Sequence, residues 1–153
     1  MWLDDLAEDL MSSDNPESEL EEHNLIGKGN TRACLEIDFE PESFDDYWAQ
    51  NGLCAKIPLD KHGVFQNSQE VYNWEELFEA SGYILPVLDY SPTFRYIIMP
   101  RGQPLENKYE EFCKFKRELE QEVPVRTVDI TIENCVIYRG DIYVSDYGMM
   151  HKK

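Results

Sequence analysis

Asp129, Asn134 and Asp146 stand near the end of this chain, spaced between short apolar runs in TVDITIENCVIYRGDIYVSDYG, residues 127–148. Asp129 and Asn134 can both project from a loop ahead of a hairpin. That hairpin, turning at Arg139-Gly140-Asp141, returns Asp146 to the same end. An amide oxygen and a carboxylate converging there suit a hard cation such as Mg²⁺, which takes a few oxygen ligands together with phosphate. Asp129 is then a separate carboxylate able to receive a hydroxyl proton. The plainer alternative is that Asp129 caps a turn and Asp146 lies at the exposed end of a strand.

Two further stretches suit the same chemistry. In IGKGNT, Gly27 and Gly29 let a backbone turn approach a bulky anion and offer it N–H donors, although G-x-G between strands is commonly only a hairpin. In LCAKIPL, Lys56 sits between Ala55 and Ile57 on a strand. Alternation puts Cys54, Lys56 and Pro58 on one face and Leu53, Ala55, Ile57 and Leu59 on the other. An unpaired buried charge is costly, so Lys56 either points to solvent or has a partner. The functional partner would be a phosphate and a carboxylate on the next helix. Glu70, two residues past the N-cap candidate Ser68, is preferred, with Glu75 as the alternative. Glu70 in a first turn would also suit the helix dipole.

The elements that must position these groups can be read from periodicity. WLDDLAEDLM puts Trp2, Leu3, Leu6 and Leu10 on one side of a short helix, able to dock on a partner or, as we favour, on the chain's own domain. SSDNPESELEE reads as a polar linker. NLIGKGNTRACLEIDF reads as strand, glycine turn and strand, FEPESFDDYWAQNG as an excursion, LCAKIPL as a strand and DKHGVFQN as a loop. A helix is predicted from Ser68, with Val71, Trp74, Leu77 and Phe78 on one face and a stop at Gly82. YILPVLDY and FRYIIMPR form a hairpin around Ser91-Pro92-Thr93. NKYEEFCKFKRELEQEV is a helix with Tyr109, Phe112, Cys113, Lys116 and Leu119 at helical spacing. CVIY and IYVSDYG close the chain as a hairpin.

Composition bounds the partners. The net charge is -17, and residues 1–22 carry nine acids and no Lys or Arg. Such a balance repels phosphate backbones and argues against direct nucleic-acid binding. It allows a solubilising surface, salt adaptation or mimicry of nucleic acid toward a basic partner. The four cysteines contain no C-x-x-C pair and the three histidines show no ligand spacing, so no zinc or redox motif is read. Apolar neighbours suggest buried free thiols in a reducing compartment. No apolar run approaches the roughly 18 residues of a membrane span. A cytoplasmic protein is expected, in the host cytoplasm if it is viral, and its size and acidity suit a viral or salt-adapted microbial source.

Taken in order, GKG, CAKI, DITIEN and DYG make residues 24–148 resemble a very small protein kinase, of the Ser/Thr type. The resemblance implies an α+β, protein-kinase-like fold: an antiparallel five-stranded N-lobe sheet with one helix C, then a reduced C-lobe of one helix, catalytic loop and short hairpin. It implies an acidic arm over 1–22, an N-lobe over 23–100, and a hinge and truncated C-lobe over 101–153. ATP and Mg²⁺ would be the cofactors. Gly27 and Gly29 would cover the phosphates, Lys56 would hold them with Glu70 orienting it, and Met99 in YIIMPRGQPL would lie near the adenine. Asp129 would be the base, with Asn134 and Asp146 on the metal.

There are departures. Arg32 replaces the third glycine, Thr127-Val128 replaces the His-Arg before the base, and Thr131 stands where the family has a catalytic lysine. The chain runs out at GMMHKK without an activation segment or Ala-Pro-Glu motif. A nucleotide site without its own peptide platform is therefore expected. The preferred function is an ATP/Mg-binding minimal kinase passing the γ-phosphate to Ser or Thr of a partner protein. The alternative is a weak or inactive kinase-like module that acts as a protein-binding regulator or an acidic, nucleic-acid-mimicking inhibitor.

Overall fold

The computed structural model describes residues 2–38, 46–77 and 82–152. The fold is α+β, and its described residues divide into two compact units. The first comprises Met1–Ser68 and Val87–Arg101; the second comprises Gln69–Pro86 and Gly102–Lys153.

In the first unit, strands β1 (Leu25–Lys28), β2 (Arg32–Ile37), β3 (Leu53–Pro58), β4 (Asp89–Tyr90) and β5 (Ile97–Pro100) form an antiparallel five-stranded sheet in the order β1-β2-β3-β5-β4. Helix α1 (Trp2–Ser12) buries Leu3, Leu6, Ala7 and Leu10 in one core with Leu35, Ala55, Ile57 and Ile98 of the sheet. The apolar stripe of the acidic leader thus belongs to the chain's own core. Trp2 is the exception to the predicted stripe: it is half exposed and stacks on His23. Two polar links tie α1 to the β4–β5 turn, Ser91 Oγ donating to Asp4 Oδ1 at 2.9 Å and Arg95 Nε to Glu8 Oε1 at 2.8 Å. The stretch read as a polar linker contains a second helix, α2 (Pro16–Leu20), begun by Pro16 and anchored by the buried Leu20. A proline at the first helical position loses no hydrogen bond, which is why the residue read as a breaker starts an element. Helix α3 (Asp46–Ala49) precedes β3; the rest of the excursion, 39–45, lies outside the described residues.

Helix α4 (Lys61–Glu76) begins well before the predicted start at Ser68. Asp60 Oδ1 accepts the Gly63 N–H at 3.0 Å, so Asp60 caps the helix and the predicted loop DKHGVFQN is its first half. Ser68 is interior and its hydroxyl donates to the Phe65 carbonyl. His62-Gly63 reads locally as a turn, but the glycine is required by packing. A Cβ at Gly63 would fall on the carbonyl oxygen of Thr31 and within 2.8 Å of Pro58 Cα. The predicted continuation through Phe78 toward Gly82 falls on 78–81, outside the described residues.

The second unit contains the latter part of α4, helix α5 (Tyr109–Glu122), a three-stranded sheet β6-β8-β9 (Gln103–Pro104, Cys135–Tyr138, Asp141–Val144), and the pair β7 (Val125–Arg126) with β10 (His151–Lys152). α5 buries Phe112, Phe115 and Leu119, while the predicted Tyr109 is exposed. Lys116 is half buried and its Nζ donates to the Ile130 carbonyl at 3.2 Å, so its charged head has a partner. The β8–β9 turn has Arg139 at φ 51° and Gly140 at φ 87°. Positive φ at both central residues makes the two-residue turn whose twist matches a hairpin. Among the described residues no helix is long and apolar enough to cross a membrane.

Candidate functional site

The sheet register decides which predicted residues of the first unit can act together. Gly27 pairs with Cys34, Cys34 with Lys56, and Lys56 with Ile97. Cross-strand partners share a face, so Gly27 and Lys56 lie in one row across four strands. Met99 pairs with Cys54 and therefore lies on the same face, one row along. The adjoining row, Leu35–Ala55–Ile98, points the other way, toward α1. Gly27, Lys56 and Met99 are thus brought to a single face, the one away from α1.

That face is not a plain solvent-exposed one. Cys54, Pro58 and Met99 are buried on it and Lys56 is half buried. The first half of α4 covers one end of it. There the fully buried Asn67 donates to the Lys56 and Phe94 carbonyls and accepts from Arg32 Nη1 at 3.1 Å. Arg32 is therefore engaged with the helix. A Cβ at Gly27 would meet nothing within 4 Å, so there is open space at that position. Gly29 donates its N–H to the Arg32 carbonyl at 2.9 Å, so this donor closes the hairpin.

In the second unit, Glu70 is fully buried in the third turn of α4. The first-turn dipole explanation offered for it does not apply, because the helix starts at Lys61. Burial first, and then the Glu70 charge, push the Tyr147 hydroxyl well above its usual range. Tyr147, at the centre of DYG, is itself fully buried and donates to the Leu85 carbonyl at 2.8 Å. Asn73 donates to the carbonyls of Tyr147 (2.7 Å) and Met150 (3.1 Å), holding this segment to α4. Asn67 and Asn73 are the polar residues that the sequence reading passed over. Their signal was present as asparagines among the apolar positions of a helix.

Asp129 is exposed, in the loop after β7. Asn134 ends a 3-10 turn, Ile132–Asn134, and its carbonyl accepts the N–H groups of Ser145 at 2.7 Å and Asp146 at 3.2 Å. The hairpin does return Asp146 to Asn134, with the Asp146 side chain exposed. A carboxylate is an ordinary Mg²⁺ ligand. The Asn134 Oδ1 already accepts two hydrogen bonds at 2.9 Å, from Thr131 N–H and Thr131 Oγ1. A carbonyl oxygen has two lone pairs, so Asn134 as it stands does not fit the metal. Among the described residues no three His, Cys, Asp or Glu side chains group around a possible metal position.

No protein-family model and no curated protein matches this sequence. Function therefore has to be argued from the site itself.

The second unit also has an open groove of about 460 Å³ whose lining includes Tyr83, Phe115 and Tyr143 together with Glu111, Lys114, Glu118 and Asp141. No predicted site residue lines it.

All four cysteines are free; Cys54 and Cys135 are buried, Cys34 and Cys113 half buried. Burial pushes the Cys135 thiol from its ordinary 9.0 up to about 12, the Lys116 charge only partly opposing it. The unfolded chain then releases this proton before the folded one does. Stability from this group is intact below pH 9.0 and falls as pH rises toward about 12. By about pH 10 the loss amounts to about 1.4 kcal/mol. Urea denaturation at a series of pH values should therefore bring Cys135→Ala closer to the wild type by that amount above pH 9. Parallel curves would refute the assignment.

Proposed function

We propose that this protein is a minimal kinase-like nucleotide-binding protein, taking ATP on the sheet face that carries Gly27, Lys56 and Met99. The observation that carries this reading is the register: the row Gly27–Cys34–Lys56–Ile97, with Met99 one row along on the same face. The five-stranded antiparallel sheet, with a helix between its third and fourth strands in sequence, also supports it. A half-buried lysine on that face, with open space at Gly27 two strands away, suits a phosphate, whose charge a compact cation matches. The exposed Asp129 and Asp146 carboxylates belong to the second unit, where they are of the type that takes up a proton or a hard cation.

Thermal unfolding in ATP tests it. A ligand selective for the folded state at a hundred times its Kd adds about 2.7 kcal/mol. We expect a rise in Tm with millimolar ATP that is lost in Lys56→Ala; an unchanged Tm in the wild type would rule the reading out. Transfer of labelled phosphate, abolished in Asp129→Ala with ATP binding retained, separates a kinase from a binding module. One observation favours the module: the Asn134 amide oxygen, expected from the sequence as a metal ligand, is committed to Thr131. ATP binding without transfer is the result expected of it.

A further inference from the structure

We infer that Asn134 is a structural cap of its turn and not a cation ligand, so that the second unit lacks the amide oxygen that the spacing of Asp129 and Asn134 suggested for a metal. This inference stands apart from the nucleotide reading above.

The bonding around Asn134 leaves little to spare. Its Oδ1 takes the Thr131 N–H and Oγ1, and its own N–H returns to the Thr131 carbonyl at 3.0 Å, closing a reciprocal box around the 3-10 turn. Its carbonyl receives the Ser145 N–H, the Asp146 N–H and the Ser145 hydroxyl. What remains is the amide Nδ2, a donor, which a cation repels. A hard cation needs an oxygen lone pair aimed at it, and releasing one here would open the box that turns the chain from the exposed Val128–Asp129 loop into β8. Since the same residue anchors Ser145 and Asp146, opening it would also loosen the hairpin that carries Asp146. Asn134 is in this account a positioning residue for both aspartates.

The test is a melting cycle on the full chain without ligand, using Thr131→Val, Asn134→Ala and the double variant. The cap predicts that each single change lowers Tm and that the double falls no further than the worse single, because both remove one interaction. A ligand role predicts two singles that melt like the wild type, and that result would overturn the inference. ATP affinity is then measured in Mg²⁺ and in EDTA. The ratio of the two should stay within about twofold of wild type in Asn134→Ala; a fall of about tenfold overturns the inference. Should Asn134→Ala fail to fold, Thr131→Val alone decides, since it leaves the candidate ligand in place. Wild-type protein that binds no ATP in either buffer refutes the nucleotide reading, while the melting cycle still decides what Asn134 does.

Discussion

Removing α1 is expected to unfold the first unit, and Leu10→Ala alone to cost about 3 kcal/mol in urea denaturation. Leu3 and Leu10 are 1% and 0% exposed, and they fill the same core as Leu35 and Ile57. Truncating either leaves a cavity against strands that α4 and the sheet hydrogen bonds keep from collapsing. Against a total of about 5–15 kcal/mol for a typical domain, losing both should leave little folded protein. Acidic residues of α1 are a different matter. Asp9→Asn should be nearly silent, since an exposed surface charge contributes within about 0.5 kcal/mol. A chain lacking residues 1–12 that unfolds cooperatively with wild-type stability would show that the leader is a detachable arm.

Gly63→Ala is expected to destabilise the protein by about 3 kcal/mol, against the direction that helix propensity gives. In an open helix the change would gain about 1 kcal/mol. Here the new methyl meets backbone, the Thr31 carbonyl and Pro58 Cα, which no rotamer change can relieve. Overpacking of this kind costs about 1–3 kcal/mol or more. The Thr31 carbonyl also accepts the Leu59 N–H at 2.8 Å, so shifting it forfeits about 1 kcal/mol more. Gly27→Ala is the matched control, with nothing within 4 Å of its Cβ, and should be neutral to slightly stabilising. The denaturation midpoints of the two variants, compared in the same buffer, decide the matter. A Gly63→Ala protein as stable as the wild type would mean that α4 does not pack on the β2–β3 end of the sheet as described.

The candidate site was legible in its parts and not in its arrangement. Lys56 announced itself as a charge inside an apolar strand, and Asn134 and Asp146 as polar groups flanking a hairpin. That Gly27, Lys56 and Met99 share one sheet face depends on the pairing of four strands, and a one-residue slip would have sent Lys56 to the α1 side. The start of α4 was misread because Asp60 and Ser68 are both good caps, and nothing local to the sequence says that Gly63 is needed for close packing. The use of the Asn134 oxygen was equally hidden. Its partner is only three residues away, but an asparagine at the end of a turn and an asparagine on a metal look alike in sequence.

By itself the sequence determined the alternation and helical spacing of most elements, the hairpin at Arg139-Gly140, the charge of -17, and the short list of residues able to do chemistry. These follow from local rules: period, turn residues and side-chain type. Only the tertiary structure decided that the acidic leader is core, that Lys56 is half buried, that Glu70 and Tyr147 are fully buried, and that Asn134 spends its lone pairs on Thr131. Burial and hydrogen-bond saturation are properties of what packs against a residue, and in this chain those neighbours come from strands and helices far apart in sequence.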